Sequence, residues 1–171
     1  MIAEKDLLFV VDGDNIFRSA QAMYGKDCRV SYLKLMETLK KDRSQDICFH
    51  MAVFVTLKSG MNTQLGFISR LSQMGFDIHT FLSEFDPKTG EVKRHDFSQE
   101  MIDYIKDFRC HGNYPKTLVV ASASGAFADL YTGLAYLGVT IEIMYFGETL
   151  SGRIQDVDKK VILGQEVLYK M

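Results

Sequence analysis

The sequence predicts an α/β protein with a mostly parallel central sheet and helices on both faces. Short apolar runs, rich in β-branched residues, alternate along the chain with segments in which apolar residues recur at helical spacing. This alternation favours a parallel sheet, because each helix carries the chain back to the edge where the next strand starts. The chain has 171 residues, of which 47% are hydrophobic and 25% are charged. We therefore expect a single domain over residues 1–171 with its own core.

About five segments are predicted to be strands of this sheet. The first, Leu7–Val11, is an uninterrupted apolar run, which is typical of a strand buried on both faces. Four later runs have the same character, namely Ile47–Thr56, Phe76–Leu82, Thr117–Ala121 and Val139–Phe146.

Helical spacing of apolar residues fills most of the intervals between these strands. A first helix is predicted around Ile16–Met23, and Ser31 is a suitable N-cap for a second helix that ends near Lys40. Three later helices are predicted at Met61–Met74, Phe97–Phe108 and Ala126–Leu137. The segment Ile154–Leu168 is predicted to be one further helical or extended stretch.

Composition and short motifs exclude several classes of protein. The net charge of −2 argues against a surface that is basic throughout, although a local basic groove is compatible with it. Three widely separated cysteines without a C-x-x-C pair argue against a disulfide framework or a zinc site. Neither a P-loop nor a G-x-G-x-x-G motif follows a strand, so no nucleotide cofactor is expected. Apolar runs are too short for a signal peptide or a membrane span, which predicts a cytoplasmic protein.

The first predicted strand ends in a cluster of polar residues. Asp12, Asp14 and Asn15 follow it directly, and Lys58 follows the second strand. Ligand sites of open α/β sheets form at the carboxyl ends of the strands, and a buried carboxylate is costly unless it is paired or binds a cation. Asp12 is therefore the strongest single candidate for a metal ligand. An N-cap or Asx turn at Asp12 is the structural alternative, and the two roles are compatible.

A second group of candidates precedes the predicted helix Phe97–Phe108. Here the basic residues Lys93 and Arg94 stand before His95 and Asp96. Asp96 is either the N-cap of that helix or a carboxylate ligand, and the local sequence leaves both readings open. His50 and His79 lie in predicted strands and are interpreted as packing or surface residues.

These strings, taken in order, resemble NYN domains of the PIN-like nuclease superfamily. The run Phe9–Ile16, F-V-V-D-G-D-N-I, is similar to the family's strand ending in D-G-x-N, and Lys93–Asp96 is similar to its K-G-x-D. The run Leu118–Phe127, L-V-V-A-S-A-S-G-A-F, aligns with its strand ending in S-G-D-x-D-F. Gly138–Ile143 resembles its G-x-x-V-x-V strand, and Leu150–Leu168 resembles its last motif, in which a Ser and an Asp precede a closing helix. The resemblance implies a PIN-like, Rossmann-like three-layer sandwich.

The chain departs from the family pattern at its acidic residues. Ser124 and Ala126 stand where the family has two acids, Ser122 belongs to the same degenerate stretch, and Arg94 replaces a glycine. Asp12, Asn15 and Asp96 carry over.

The resemblance implies a role in RNA metabolism with a reduced metal site. Asp12 and Asp96, with Asp14 as a further candidate, would hold Mg²⁺ or Mn²⁺, and Asn15 would orient water or phosphate. In this reading Lys58, Lys93 and Arg94 contact the RNA backbone.

Several functional readings stay open at this point. One is a metal-dependent ribonuclease with a reduced site, and another is a catalytically impaired RNA-binding relative. A third is a pseudo-nuclease that serves as a protein-assembly module, for which the family suggests a homodimer. A haloacid-dehalogenase-like phosphohydrolase is a further alternative, because Asp12 and Asp14 after a strand imitate that family's first motif.

Overall fold

A computed structural model describes residues 3–57, 63–93, 96–147, 150–155 and 157–170. Its centre is a six-stranded sheet in the order β4-β3-β1-β7-β8-β9, and every neighbouring pair is parallel. The strands are β1 (Ala3–Asp12), β3 (Cys48–Leu57), β4 (Phe76–Leu82), β7 (Pro115–Ala121), β8 (Thr140–Phe146) and β9 (Lys159–Leu163). The predicted α/β class and parallel sheet are confirmed.

Five helices among the described residues cover the two faces of this sheet. They are α1 (Gly13–Tyr24), α2 (Tyr32–Lys40), α3 (Thr63–Gln73), α4 (Ser98–Asp107) and α5 (Ala128–Tyr136). Buried residues of α1, α2 and α3 belong to one apolar cluster, and those of α4 and α5 belong to another. The molecule is therefore a three-layer sandwich with two cores, one on each side of the sheet.

The first strand divides its side chains between these two cores. Leu7, Phe9 and Val11 point into the cluster on the α1 side, whereas Leu8 and Val10 point into the cluster on the α4 side. Successive side chains of a strand alternate between faces, so a strand buried on both faces must be apolar throughout. This explains why the uninterrupted run in the sequence marks the centre of the sheet.

The last part of the chain takes the extended form of the two predicted alternatives. The segment predicted as helical or extended forms β9, the sixth strand, followed by the 3-10 helix Gln165–Val167 and the short strand β10 (Leu168–Lys170). β10 pairs antiparallel with β2 (Cys28–Val30). The closing helix implied by the family resemblance is therefore replaced by extended chain over Lys159–Leu163. A second two-stranded ribbon consists of β5 (Glu84–Phe85) and β6 (Val92–Lys93).

Two further findings bear on the expectations from composition. All three cysteines are free, as their spacing predicted; Cys28 and Cys110 are buried and Cys48 is exposed. Within the described part of the chain, none of the helices has the length and apolar character needed to cross a membrane.

Candidate metal and RNA site at the carboxyl edge

The strand order creates a crevice between β1 and β7. From β1 the chain builds outward through β3 and β4 on one side, and later through β7, β8 and β9 on the other side. The connections from β1 and from β7 therefore leave the sheet in opposite directions, and ligands of such sheets bind at this point. Asp12 is the last residue of β1, and Ser122 follows the last residue of β7.

Asp12 is buried at this crevice, with only 7% of its surface exposed. Its Oδ1 accepts the backbone N–H of Asn15 at 3.2 Å, which caps α1. Its Oδ2 accepts the hydroxyl of Ser122 at 3.0 Å. Burial raises the pKa of Asp12 to about 6, although the two hydrogen bonds oppose the rise. The predicted N-cap role is confirmed, and the carboxylate keeps lone pairs for a cation.

The glycine after Asp12 allows α1 to start directly against the next strand. A Cβ atom at Gly13 would overlap Val55 Cγ1 and would lie 2.9 Å from the carbonyl oxygen of Phe54. Only glycine leaves room for β3 at this approach. The short D-G-D-N string thus brings the Asp12 carboxylate to the end of β1 while α1 packs on β3.

Asp14 and Asn15 fasten the start of α1 to the two strands beside β1. The Asp14 carboxylate accepts the backbone N–H of Thr56 at 2.9 Å and its hydroxyl at 2.5 Å. The Asn15 side-chain oxygen accepts the backbone N–H of Ala123 at 2.9 Å. Both side chains therefore position the loop that carries Asp12, and the bonds to Thr56 already engage both oxygens of Asp14.

The degenerate stretch after β7 forms a hydrogen-bonded turn. Ser122 Oγ accepts the backbone N–H of Ser124 at 3.2 Å while it donates to Asp12. Ser124 Oγ in turn accepts the N–H of Ala126 at 3.2 Å and caps the 3-10 helix Gly125–Phe127. Ser124 thus serves as a cap, and Ala126, where the family has an acid, offers no ligand atom.

Asp96 is exposed and precedes Phe97, which is the N-cap residue of α4, so the reading of Asp96 as the N-cap is wrong. Its Oδ1 accepts the backbone N–H of Ser98 at 3.0 Å, so it supports the first turn of that helix. Cys110, just beyond the other end of α4, clusters with Asp6 near the start of β1. The start of α4, with Asp96, therefore points toward the same edge of the sheet as Asp12. Of the basic candidates, Lys58 and Arg94 lie outside the described residues, and Lys93 ends β6.

Two buried tyrosines that the sequence did not single out lie in the electrostatic field of Asp12. Burial, and then the charge of Asp12, raises the pKa of Tyr32 on the α1 side and of Tyr131 on the α5 side. The Tyr131 hydroxyl is fully buried and has no hydrogen-bond partner among the described residues. Both tyrosines look like ordinary core residues in the sequence, because nothing in their own helices marks them.

Comparison with known proteins identifies a shared fold but no activity. A crystal structure of a protein of unknown function from Vibrio parahaemolyticus is similar to this chain, with a TM-score of 0.73 and 14% sequence identity. The similarity covers 97% of this chain and 97% of that chain. No protein-family model matches the sequence, and no curated protein matches it either. At this identity the likeness shows a shared fold alone.

Proposed function

We propose that this chain is an RNA-binding domain of the NYN, PIN-like type, in which Asp12 holds Mg²⁺ or Mn²⁺ against a backbone phosphate and cleavage is slow or lost. The observation that carries the proposal is the position of Asp12, which is buried at the crevice between β1 and β7. Ligands of parallel α/β sheets bind at such a crevice. The family resemblance supplies the substrate class.

The side chains around Asp12 fit a hard divalent cation. Mg²⁺ and Mn²⁺ prefer oxygen ligands, and Mg²⁺ keeps several waters when few protein ligands are available. The Asp12 carboxylate supplies the charge, and the hydroxyl of Tyr131 is a buried oxygen without a partner among the described residues. A raised pKa supports the same reading, because a cation would compensate a carboxylate that burial destabilises.

Weak cleavage is proposed because two of the acids that would complete the site are absent. Ser124 and Ala126 occupy the family's two acidic positions. Asp14 accepts two hydrogen bonds from Thr56, which orient its carboxylate toward β3. Asp96, which the family resemblance carries over, is the second carboxylate that we propose for the cation. A bound Mg²⁺ or Mn²⁺ would orient water and stabilise charge on a phosphodiester.

The phosphohydrolase alternative is less compatible with the contacts of its key residues. It needs Asp14 as an acid, yet that carboxylate is fastened to Thr56. It also needs acidic residues after a later strand. Asp158 accepts the backbone N–H of Ile141 at 2.7 Å, near the start of β8 and so at the opposite edge from Asp12. We therefore favour the RNA-binding proposal.

One observation favours the assembly-module alternative. Tyr136 and Leu137, at the end of α5, are large apolar residues with exposed fractions of 91% and 57%. A second copy of the chain could cover them. This reading predicts self-association with little dependence on salt, whereas RNA binding weakens steeply as salt is added.

The test is incubation of labelled single-stranded and structured RNA with Mg²⁺, with Mn²⁺ and with a chelator. Asp12→Asn and Asp96→Asn run beside the wild type. Asp46→Asn is the matched control, because it removes one exposed carboxylate just before β3, at the opposite edge. We expect RNA binding that weakens with salt and, at most, slow metal-dependent cleavage that both site variants abolish. Rapid cleavage that survives chelation, or well-folded protein that binds no RNA, would contradict the proposal.

A further inference from the structure

A second group of possible metal ligands lies at the amino edge of the sheet, opposite the Asp12 crevice. Ligand atoms of Asp6, His50 and Cys110 all lie within 4.8 Å of one another. His50 Nε2 is 2.8 Å from Asp6 Oδ1. Asp6 and Cys110 are buried, with exposed fractions of 7% and 4%, whereas His50 is partly open to solvent.

Three separate elements bring these side chains together. In the parallel pairing of β1 with β3, Asp6 stands beside Cys48 and Leu8 stands beside His50. Because side chains two apart on a strand share a face, Asp6 and His50 both lie on the α4 side. Cys110 reaches the same place from the chain that leaves the end of α4.

A tight turn fixes the backbone at Cys110. Its N–H donates to the carbonyl oxygen of Asn113 at 2.7 Å, and the N–H of Asn113 donates back at 2.9 Å. The two residues between them, His111 and Gly112, have φ values of 52° and 83°. Such left-handed values are unfavourable for a residue other than glycine, so the strain at His111 is maintained by the surrounding structure.

The donor types of this cluster suit a divalent cation. A carboxylate, an imidazole and a thiol, the last two of which bind metal in their deprotonated forms, lie together on one face of the sheet. Among the described residues, no lysine or arginine forms an ion pair with Asp6, and its side-chain partner is His50.

We propose that Asp6, His50 and Cys110 form a zinc-class site, with the thiolate, one imidazole nitrogen and one carboxylate oxygen as ligands. Zn²⁺ binds these three donor types at about 2.0–2.3 Å, and water completes the tetrahedron in sites with three protein ligands. The ligands of such a tetrahedron lie about 3.3–3.8 Å apart, so the contact between Asp6 and His50 widens as the metal replaces their shared proton.

This site is independent of the proposed RNA function. A thiolate and an imidazole select zinc-class ions, whereas carboxylates and waters suit Mg²⁺ and Mn²⁺. Asp6 lies near the start of β1 and Asp12 is its last residue, so the two carboxylates lie toward opposite edges of the sheet. The bound metal would join β1, β3 and the end of α4. A result that disproves metal binding at one site therefore does not bear on the other site.

The test uses Co²⁺, whose bond to a thiolate gives a charge-transfer absorption band, titrated into metal-free protein. We expect the band to saturate at one equivalent of Co²⁺ and to be lost in Cys110→Ser. The band should persist in Cys28→Ser, which alters a buried thiol elsewhere, and in Cys48→Ser, which removes the exposed thiol. His50→Gln should weaken binding at least tenfold, and His79→Gln should not. His79 is the matched control, since its imidazole also contacts an aspartate, Asp77.

A second measurement covers the outcome in which Cys110→Ser does not fold. Zn²⁺ at a hundredfold excess over its Kd should raise the Tm of the wild type by about 5–10 °C. His50→Gln, which changes a partly exposed side chain, should abolish this rise. Folded wild-type protein that binds no Co²⁺ or Zn²⁺ would overturn the proposal. A thiolate band that is lost in Cys48→Ser but kept in Cys110→Ser would overturn it equally.

Discussion

Replacement of Asp12 by asparagine is expected to stabilise the protein at alkaline pH while removing the proposed metal ligand. The variant keeps a side-chain oxygen that can accept the N–H of Asn15, and it carries no charge to desolvate. Burial raises the pKa of Asp12 from 3.8 to about 6. A rise of about 2 in pKa corresponds to about 3 kcal/mol of differential stability.

The sign of the effect follows from proton binding. The folded state holds the Asp12 proton more tightly than the unfolded state does, because its pKa is raised. The stabilisation that comes from this tighter proton binding is complete below about pH 4 and is lost as the pH rises through about 6. Asp12→Asn should therefore match the wild type near pH 4 and exceed it at pH 8 by up to about 3 kcal/mol, or roughly 6–12 °C in Tm.

Urea denaturation in chelator at pH 4, 6 and 8 measures this difference. Asp46→Asn serves as the control, because Asp46 is exposed and its ion pair with Lys5 spans 4.0 Å. That variant should follow the wild type at every pH. If Asp12→Asn were less stable than the wild type at pH 8, or if the difference in stability did not change with pH, burial would not destabilise the charged carboxylate and the reasoning would fail.

Three further substitutions test the packing and hydrogen bonds that hold the sheet edges. Gly13→Ala should cost about 1–3 kcal/mol in urea denaturation, because the new methyl group overlaps Val55; unchanged stability would contradict the close approach. Asn15→Ala should cost about 1–3 kcal/mol and should speed hydrogen exchange at the backbone N–H of Ala123, which loses its acceptor; equal exchange rates in the variant and the wild type would contradict this role of Asn15. Arg43→Ala should lower stability by about 3 kcal/mol, since it leaves Glu142 buried without the partner 2.7 Å away; a loss below 1 kcal/mol would show that the pair is solvated.

The sequence was sufficient to predict the centre of the fold. Leu7–Val11 and Leu118–Ala121 are apolar on both faces, and such runs have few alternatives to a buried parallel strand. β9 was harder to recognise because it is an edge strand. Most of its side chains are exposed, and Lys159 and Lys160 begin it, so it lacks the apolar run that marks a central strand.

The candidate site was only partly predictable for a different reason. Asp12 could be proposed because a carboxylate that ends a buried strand is costly wherever it points. The engagement of Asp14 by Thr56 could not be foreseen, since it depends on how β3 aligns with β1. The same alignment brings His50 to Asp6, which no local spacing reveals.

The measurement that tests the central claim most directly is the RNA affinity of the wild type and of Asp12→Asn, with and without Mn²⁺. Fluorescence anisotropy of a labelled single-stranded RNA at fixed ionic strength provides it, and circular dichroism verifies folding. We predict that Mn²⁺ tightens binding by the wild type at least tenfold and leaves the affinity of Asp12→Asn unchanged. Equal Mn²⁺ enhancement in both proteins, or no RNA binding by folded wild type, would contradict an RNA-facing cation site at Asp12.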